Sequence, residues 1–266
     1  MLSQIHMAKT ATYTFQNKLI MISDNIANAQ TVGHKSSEMQ LQNMFPLMIT
    51  RTISEYEDAE VTPGKRRKKF LEYGQGVRVS AITRDVSQGT VKVTNRPLDL
   101  AIQGRGYFRF RLPDGRVSFA RAGNLYQNNE GTLVNASGHP LEPTMRVPRN
   151  TTEVIVNQEG RFYVQVNNDP TPREVGQMVL ADFPNEEGLL SIGQNMYVET
   201  AASGEALLSA PGQNAVGSIR QRALEYSNVN IIKELMDMLM VQRTFEVTIK
   251  AIKAADKIMQ VGSDLK

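Results

Sequence analysis

The sequence predicts an α+β protein in which two long terminal α-helices form a coiled-coil-like pair, extended connectors follow, and a central antiparallel β-domain lies between them. Three observations lead there. Apolar residues recur in alternating steps of four and three at both ends of the chain, the period shortens to two in the middle, and Gly, Ser and Pro gather in the stretches between.

At the amino end the apolar series is Met1, Ile5, Ala8, Phe15, Leu19, Ile22 and Ile26, with Thr12 filling the one gap. Such spacing is the heptad seam of a helix that packs along its length on another. At about 1.5 Å per residue that helix is about 40 Å long. The carboxyl end repeats the arrangement with Ile231, Leu235, Met238, Phe245, Ile249, Ile252 and Met259, Gln242 and Asp256 taking the remaining positions. Just before it, Ser227, Asn228 and Asn230 can cap the first turn by accepting its free N–H groups.

In the middle, Phe108 and Phe110 alternate with Arg109 and Arg111, as in a half-buried strand. Pro113-Asp114-Gly115 then presets a tight turn, and Val117 to Arg121 can return as the partner strand. Turn signals follow at Asn128 to Gly131, Gln158 to Gly160 and Asn185 to Gly188, each flanked by β-formers. The expected organisation is terminal helices at 1–31 and 226–266, connectors at 32–95 and 203–225, and a β-rich domain at 96–202, with the termini meeting at one end.

Both helices carry more apolar surface than one seam needs. Met7, Ile20 and Met21 lie off the first seam, and Ile232, Met236, Leu239, Met240, Val241 and Val247 lie off the second. Burying each is worth on the order of 1.5 to 3 kcal/mol, so they require further partners. Those partners are either the chain's own sheet or other copies of the chain, and periodicity does not separate the two.

Composition and motifs give catalysis no foothold. With 30 Lys+Arg against 27 Asp+Glu the net charge is only +3, which argues against a broad nucleic-acid or membrane face. The absence of cysteine excludes disulfides, thiolate metal sites and cysteine nucleophiles. His6, His34 and His139 show no metal-ligand spacing, and neither Gly74-Gln75-Gly76 nor Gly104-Arg105-Gly106 completes a phosphate-binding pattern. Lys65-Arg66-Arg67-Lys68-Lys69 follows the acidic stretch Glu55, Glu57, Asp58 and Glu60 and reads as a solvated, charge-paired loop. A nucleic-acid-binding module using that run, and a carbohydrate hydrolase built on an unplaced carboxylate pair, are the alternatives of other classes. No cofactor is expected. The amino terminus does not read as a cleaved signal peptide, and no stretch approaches the roughly 18 to 20 apolar residues of a membrane-spanning helix.

Three motifs resemble those of one family. Ser23-Asp24-Asn25-Ile26-Ala27-Asn28-Ala29-Gln30-Thr31-Val32-Gly33-His34-Lys35 resembles the amino-terminal signature of the flagellar rod and hook proteins, with His34 where that family usually has phenylalanine. Pro97 to Phe108 resembles its entry into the β-domain, and Ser227 to Asn230, Glu234-Leu235 and Gln242 to Glu246 its carboxyl-terminal motif. Within the family, Tyr73 to Val77, Leu112 to Gly115 and Gly188 to Tyr197 favour the distal rod over the proximal rod or hook.

The resemblance implies a structural subunit of a rigid hollow helical drive shaft that spans the periplasm, transmits torque to the hook and lets exported subunits pass. It implies helices lining the tube, connectors around them and the β-domain outermost, with the segment from Phe45 to Phe70 bracing neighbouring subunits. The implied partners are further copies of the chain, proximal rod proteins, hook protein, rod cap, surrounding bushing rings and the flagellar type III export apparatus, with neither nucleic acid nor membrane insertion. Export would leave the amino terminus uncut. The residues expected to carry helix and subunit packing are Ile5, Phe15, Leu19, Ile22, Ile26, Asn28, Ile231, Leu235, Met238, Gln242, Phe245, Ile249 and Ile252.

Overall fold

A computed structural model describes residues 2–53, 67–166 and 169–264. Lys65 and Arg66 of the basic run, and the acidic stretch before it, lie outside the described residues, as do the side chains of Ile5 and His6. Two α-helices occur among the described residues, α1 (Leu2–Ala27) and α2 (Ile231–Asp264), and the remaining regular structure is mostly short antiparallel strands.

The chain divides into two compact units. One comprises residues 24–37 and 83–234. Its centre is a four-stranded sheet in the order Leu190–Gly193, Met196–Val198, Val117–Ala120, Phe108–Arg111. The period-two pattern dictates this arrangement: Phe108 and Phe110 are fully buried, while Arg111 reaches solvent and forms a forked pair with Glu142 at 2.8 and 2.9 Å. The Pro113-Asp114-Gly115 turn closes the hairpin, with Gly115 in the left-handed region at φ +86°. A three-stranded sheet of Thr151–Val156, Arg161–Val166 and Asp169–Gln177 follows. Leu100, Phe108, Phe110, Leu133, Phe162 and Leu180 belong to its main core. A smaller cluster sets Phe183 edge-on to Tyr107 and Phe119, with ring centroids at 5.9 and 4.8 Å. The returning chain lies beside its own outgoing path: Ser218–Gln221 pairs with Leu100–Gln103, and Ala223–Glu225 with Val91–Val93. This pairing brings the beginning of α2 to the end of α1.

The other unit comprises residues 1–23, 38–82 and 235–266. It contains most of both helices, a pair formed by Ser37–Asn43 and Val77–Arg84, and a ribbon in which Leu47–Ile53 runs against Arg67–Tyr73. Its interior is thin. Among the described residues, only Thr14, Ile22, Met39 and Val241 are buried in it.

The coiled-coil-like pair expected from the heptads is not found. Among the described residues α1 and α2 do not pack along their lengths. They meet at their roots, where the Asn25 Nδ2 donates to Glu234 Oε1 at 3.2 Å. On the expected seam Leu235 is exposed, as is Gln242, while Phe15, Leu19, Ile26, Met238, Phe245, Ile249 and Ile252 are only half-buried. The reason is physical: a heptad seam specifies that a helix wants a partner but not which chain supplies it. The α2 seam is also interrupted by polar residues, and its apolar side chains spread beyond one narrow stripe.

Candidate functional site

Two features stand out among the described residues: a buried polar junction at the helix roots and an exposed apolar face on α2. At the junction three passes of the chain cross. The Gly33 N–H donates to the Glu225 carbonyl at 2.8 Å, Asp85 N–H to Ser36 O at 2.9 Å, and Tyr226 N–H to Thr90 O at 2.9 Å. Lys35 and Glu225, both buried, join these passes through their side chains. The Lys35 Nζ donates to Glu225 Oε1 at 2.6 Å and to Ser87 O at 2.7 Å, and the same Oε1 accepts from Gly89 N–H at 3.0 Å. Burial outweighs this pairing and holds the Lys35 ammonium below the usual lysine value. Arg121, also buried, donates to Gly104 O at 2.8 Å and stands 3.7 Å from Glu225 Oε2.

Asparagines complete the junction because each amide can donate and accept at once. Asn25 accepts from Ser37 N–H at 2.9 Å and donates to Ser37 O at 3.0 Å. Asn228 accepts from Ser36 N–H at 2.8 Å and donates to Asp85 O at 2.9 Å. Asn230 caps α2, accepting from the N–H groups of Ile232 and Lys233 at 3.1 and 3.2 Å. Asn28 closes α1 by donating to Asp24 O at 3.0 Å, so its contacts lie within its own helix end. Two glycines permit the crossing. A Cβ at Gly33, whose φ is +70°, would lie 2.5 Å from Ala122 N, and one at Gly89 would lie 1.9 Å from Tyr226 O.

His34 adds a titratable group beside this crossing. Burial holds its imidazole below the ordinary histidine value, Arg84 pushes the same way, and Asp24 with an Asn195 hydrogen bond only partly oppose them. Its Nε2 is buried with no hydrogen-bond partner, so an added proton there would find no acceptor. The folded value lies below the unfolded one of about 6.5. The neutral ring therefore contributes stability above that pH, and the contribution is lost as pH falls through the folded value. We expect thermal unfolding between pH 7.5 and 5 to show a smaller loss of stability in His34→Phe than in the parent, and parallel curves would contradict this.

The second feature is on α2. Ile231, Leu235 and Leu239 form one row four residues apart, and Ile232, Met236 and Met240 form the row beside it. All six are exposed, Ile232 by 72%, Met236 by 62%, Leu239 by 57% and Met240 by 63%. Of the residues expected to pack, Ile22 is buried, Ile231 and Leu235 lie on this face, and the more exposed neighbours are residues assigned off the seam. Ile20 and Val247 are exposed in the same way. Sequence reasoning missed Glu225 altogether, named Arg121 only as the end of the returning strand, and named Asn25 and Lys35 within a motif without giving them a task.

Among the described residues the arrangement ties chain ends together and presents apolar helix surface. Comparison with known proteins agrees with that character. Residues 101–164 match the model of the flagellar hook protein FlgE/F/G D1 domain, and residues 220–265 that of the flagellar basal body rod FlgEFG protein C-terminal region. The chain is 38% identical to the flagellar basal-body rod protein FlgG of Caulobacter vibrioides over 92% of each chain. It is 34% identical to FlgG of Bacillus subtilis over the whole of both. The chain belongs to the FlgG family of flagellar basal-body rod proteins. The flagellar hook-basal body complex protein FlhP of the same Bacillus is 25% identical over 97% of each chain, a lower similarity than the FlgG relatives show. The first family match covers the core strands of the β-rich unit, and the second begins in the strand Ser218–Gln221 and runs through the junction into α2. FlgG membership makes this chain a structural subunit of the flagellar basal-body rod.

Proposed function

We propose that this FlgG-family chain builds the distal part of the rod, assembling with copies of itself into a stiff hollow tube that transmits torque to the hook and leaves a passage for exported subunits. The observation that carries this reading is the exposed double row on α2, joined to the thin interior of the unit that holds its Leu235, Met236, Leu239 and Met240. A subunit meant to stay alone would leave roughly 1 to 2 kcal/mol unrealised at each of six large apolar side chains that are already part-covered. Neighbouring copies realise it. The seam residues Phe15, Leu19, Phe245, Ile249 and Ile252, half-buried in the single subunit, complete their burial at the same contacts. On this reading the terminal helices line the tube, the connectors at 32–95 and 203–225 surround them, and the β-rich domain at 96–202 faces outward.

The role is mechanical and not enzymatic. Its partners are proximal rod proteins, the hook protein, the rod cap, the surrounding rings and the export apparatus, which delivers the chain to the periplasm. Family membership supports this. Electron microscopy of the purified protein at high concentration should show straight hollow tubes. Deleting residues 1–22 should leave the β-rich unit soluble and folded but without tubes, because the removed segment lies outside that unit. Ordinary tubes from the truncated chain would refute the helix role.

A further inference from the structure

We propose that the buried Lys35–Glu225 pair is a positioning device, which fixes the spacing of the two helix roots and so decides whether subunits fit together, while contributing little to net stability. The inference rests on the rod-subunit reading and deepens it. Three observations support it.

First, the pair is an uneconomical way to fill a core. Lys35 is 3% exposed and Glu225 is 0% exposed, and desolvating two charges costs more than their attraction returns unless every lone pair and proton finds a partner. That condition is not met: Glu225 Oε2 and Arg121 Nε are buried without hydrogen-bond partners. Well-packed apolar side chains of similar volume would serve stability at least as well.

Second, the pair is directional where an apolar contact is not. Lys35 Nζ reaches Ser87 O and Glu225 Oε1, and that oxygen also takes the Gly89 N–H. Three chain passes are thereby held in one register, and a shift of any pass breaks a charge-assisted bond in a site closed to water.

Third, those same passes carry the helix roots. Lys35 lies between Asn25, which binds Ser37 and Glu234, and Asn228, which binds Ser36 and Asp85. Glu225 lies just before the Asn230 cap of α2. A subunit whose roots are mis-spaced presents the right side chains at the wrong separation.

The test compares the full chain with Glu225→Met and with Lys35→Met/Arg121→Met/Glu225→Met, using thermal unfolding, amide hydrogen exchange and electron microscopy of assembled tubes. The single variant strands the buried Lys35 and Arg121 cations and should melt well below the parent. The triple variant, with no buried charge left unpaired, should melt within a few degrees of the parent, yet its Gly33, Ser37, Gly89 and Tyr226 amides should exchange roughly tenfold faster or more, and its tubes should be absent or mixed in diameter. Tubes of parental diameter with parental exchange would overturn the inference. A triple variant that fails to fold would overturn it too, since the pair would then be needed for stability itself. If the parent forms no tubes, the rod reading fails, and the exchange and melting measurements still decide whether the pair positions the roots.

Discussion

Leu239→Asp should leave the subunit folded and abolish its assembly. Leu239 is 57% exposed in the single chain, so aspartate there meets water, and its effect on unfolding should stay within about 0.5 kcal/mol. On the proposed assembly the same position is covered by a neighbouring copy. The variant then loses the roughly 1 to 2 kcal/mol that covering the exposed part of the leucine would add, and must also desolvate a carboxylate with no partner. A combined loss of at least about 3 kcal/mol raises the concentration needed for assembly by at least about 100-fold. Circular-dichroism melting beside sedimentation of polymer separates the two effects. Normal tubes at the parental threshold would show that the double row on α2 is not an interface.

Gly89→Ala should act in the opposite way, destabilising the subunit itself before assembly is reached. The new methyl would lie 1.9 Å from the Tyr226 carbonyl oxygen and 3.1 Å from the Ser227 carbonyl carbon, both backbone atoms that no rotamer can move. Relief requires parting the segment at Gly89 from the returning chain, which takes with it the Gly89 N–H bond to Glu225 and the Tyr226 bond to Thr90. Overpacking with loss of buried bonds should cost about 3 kcal/mol or more, a fall in Tm of about 10 °C for a domain of this size. A melt within 2 °C or so of the parent would mean that the passes are not held as closely as the geometry requires.

The two variants also mark what was legible in the sequence. The alternation at Phe108 to Arg111 and the turn at Pro113-Asp114-Gly115 are local signals, and the hairpin stands where they put it. Both helices are likewise present, because their period extends over many turns and Asn230 caps the second. What the period could not say is where its partner lies. The seam was read as an intramolecular pair, whereas among the described residues the helices are tied at their roots by Asn25 and Glu234, and Ile232, Met236 and Met240 face outward.

The junction was illegible for a different reason. Lys35, Ser87, Arg121 and Glu225 are far apart in sequence, and nothing about a lone glutamate beside Ala223 and Leu224 announces that it is fully buried. Gly89 carries no turn motif; its need for a missing side chain comes from a carbonyl contributed by residue 226. His34 could be flagged only because the resemblance places an aromatic hydrocarbon there.

The pairing of Lys35 with Glu225 spans 190 positions of sequence. A chain growing from its amino end therefore carries an unmatched cation through most of its synthesis, and the first helix has no fixed root until nearly the last strand has been made. Contacts of such separation close late, since the intervening loop must first surrender its freedom. The order of events is thus written into the connectivity: the β-rich core condenses first, and only then can the two ends be brought together. A subunit cut short before Glu225 should be caught at that stage, with a compact middle and ends that never meet.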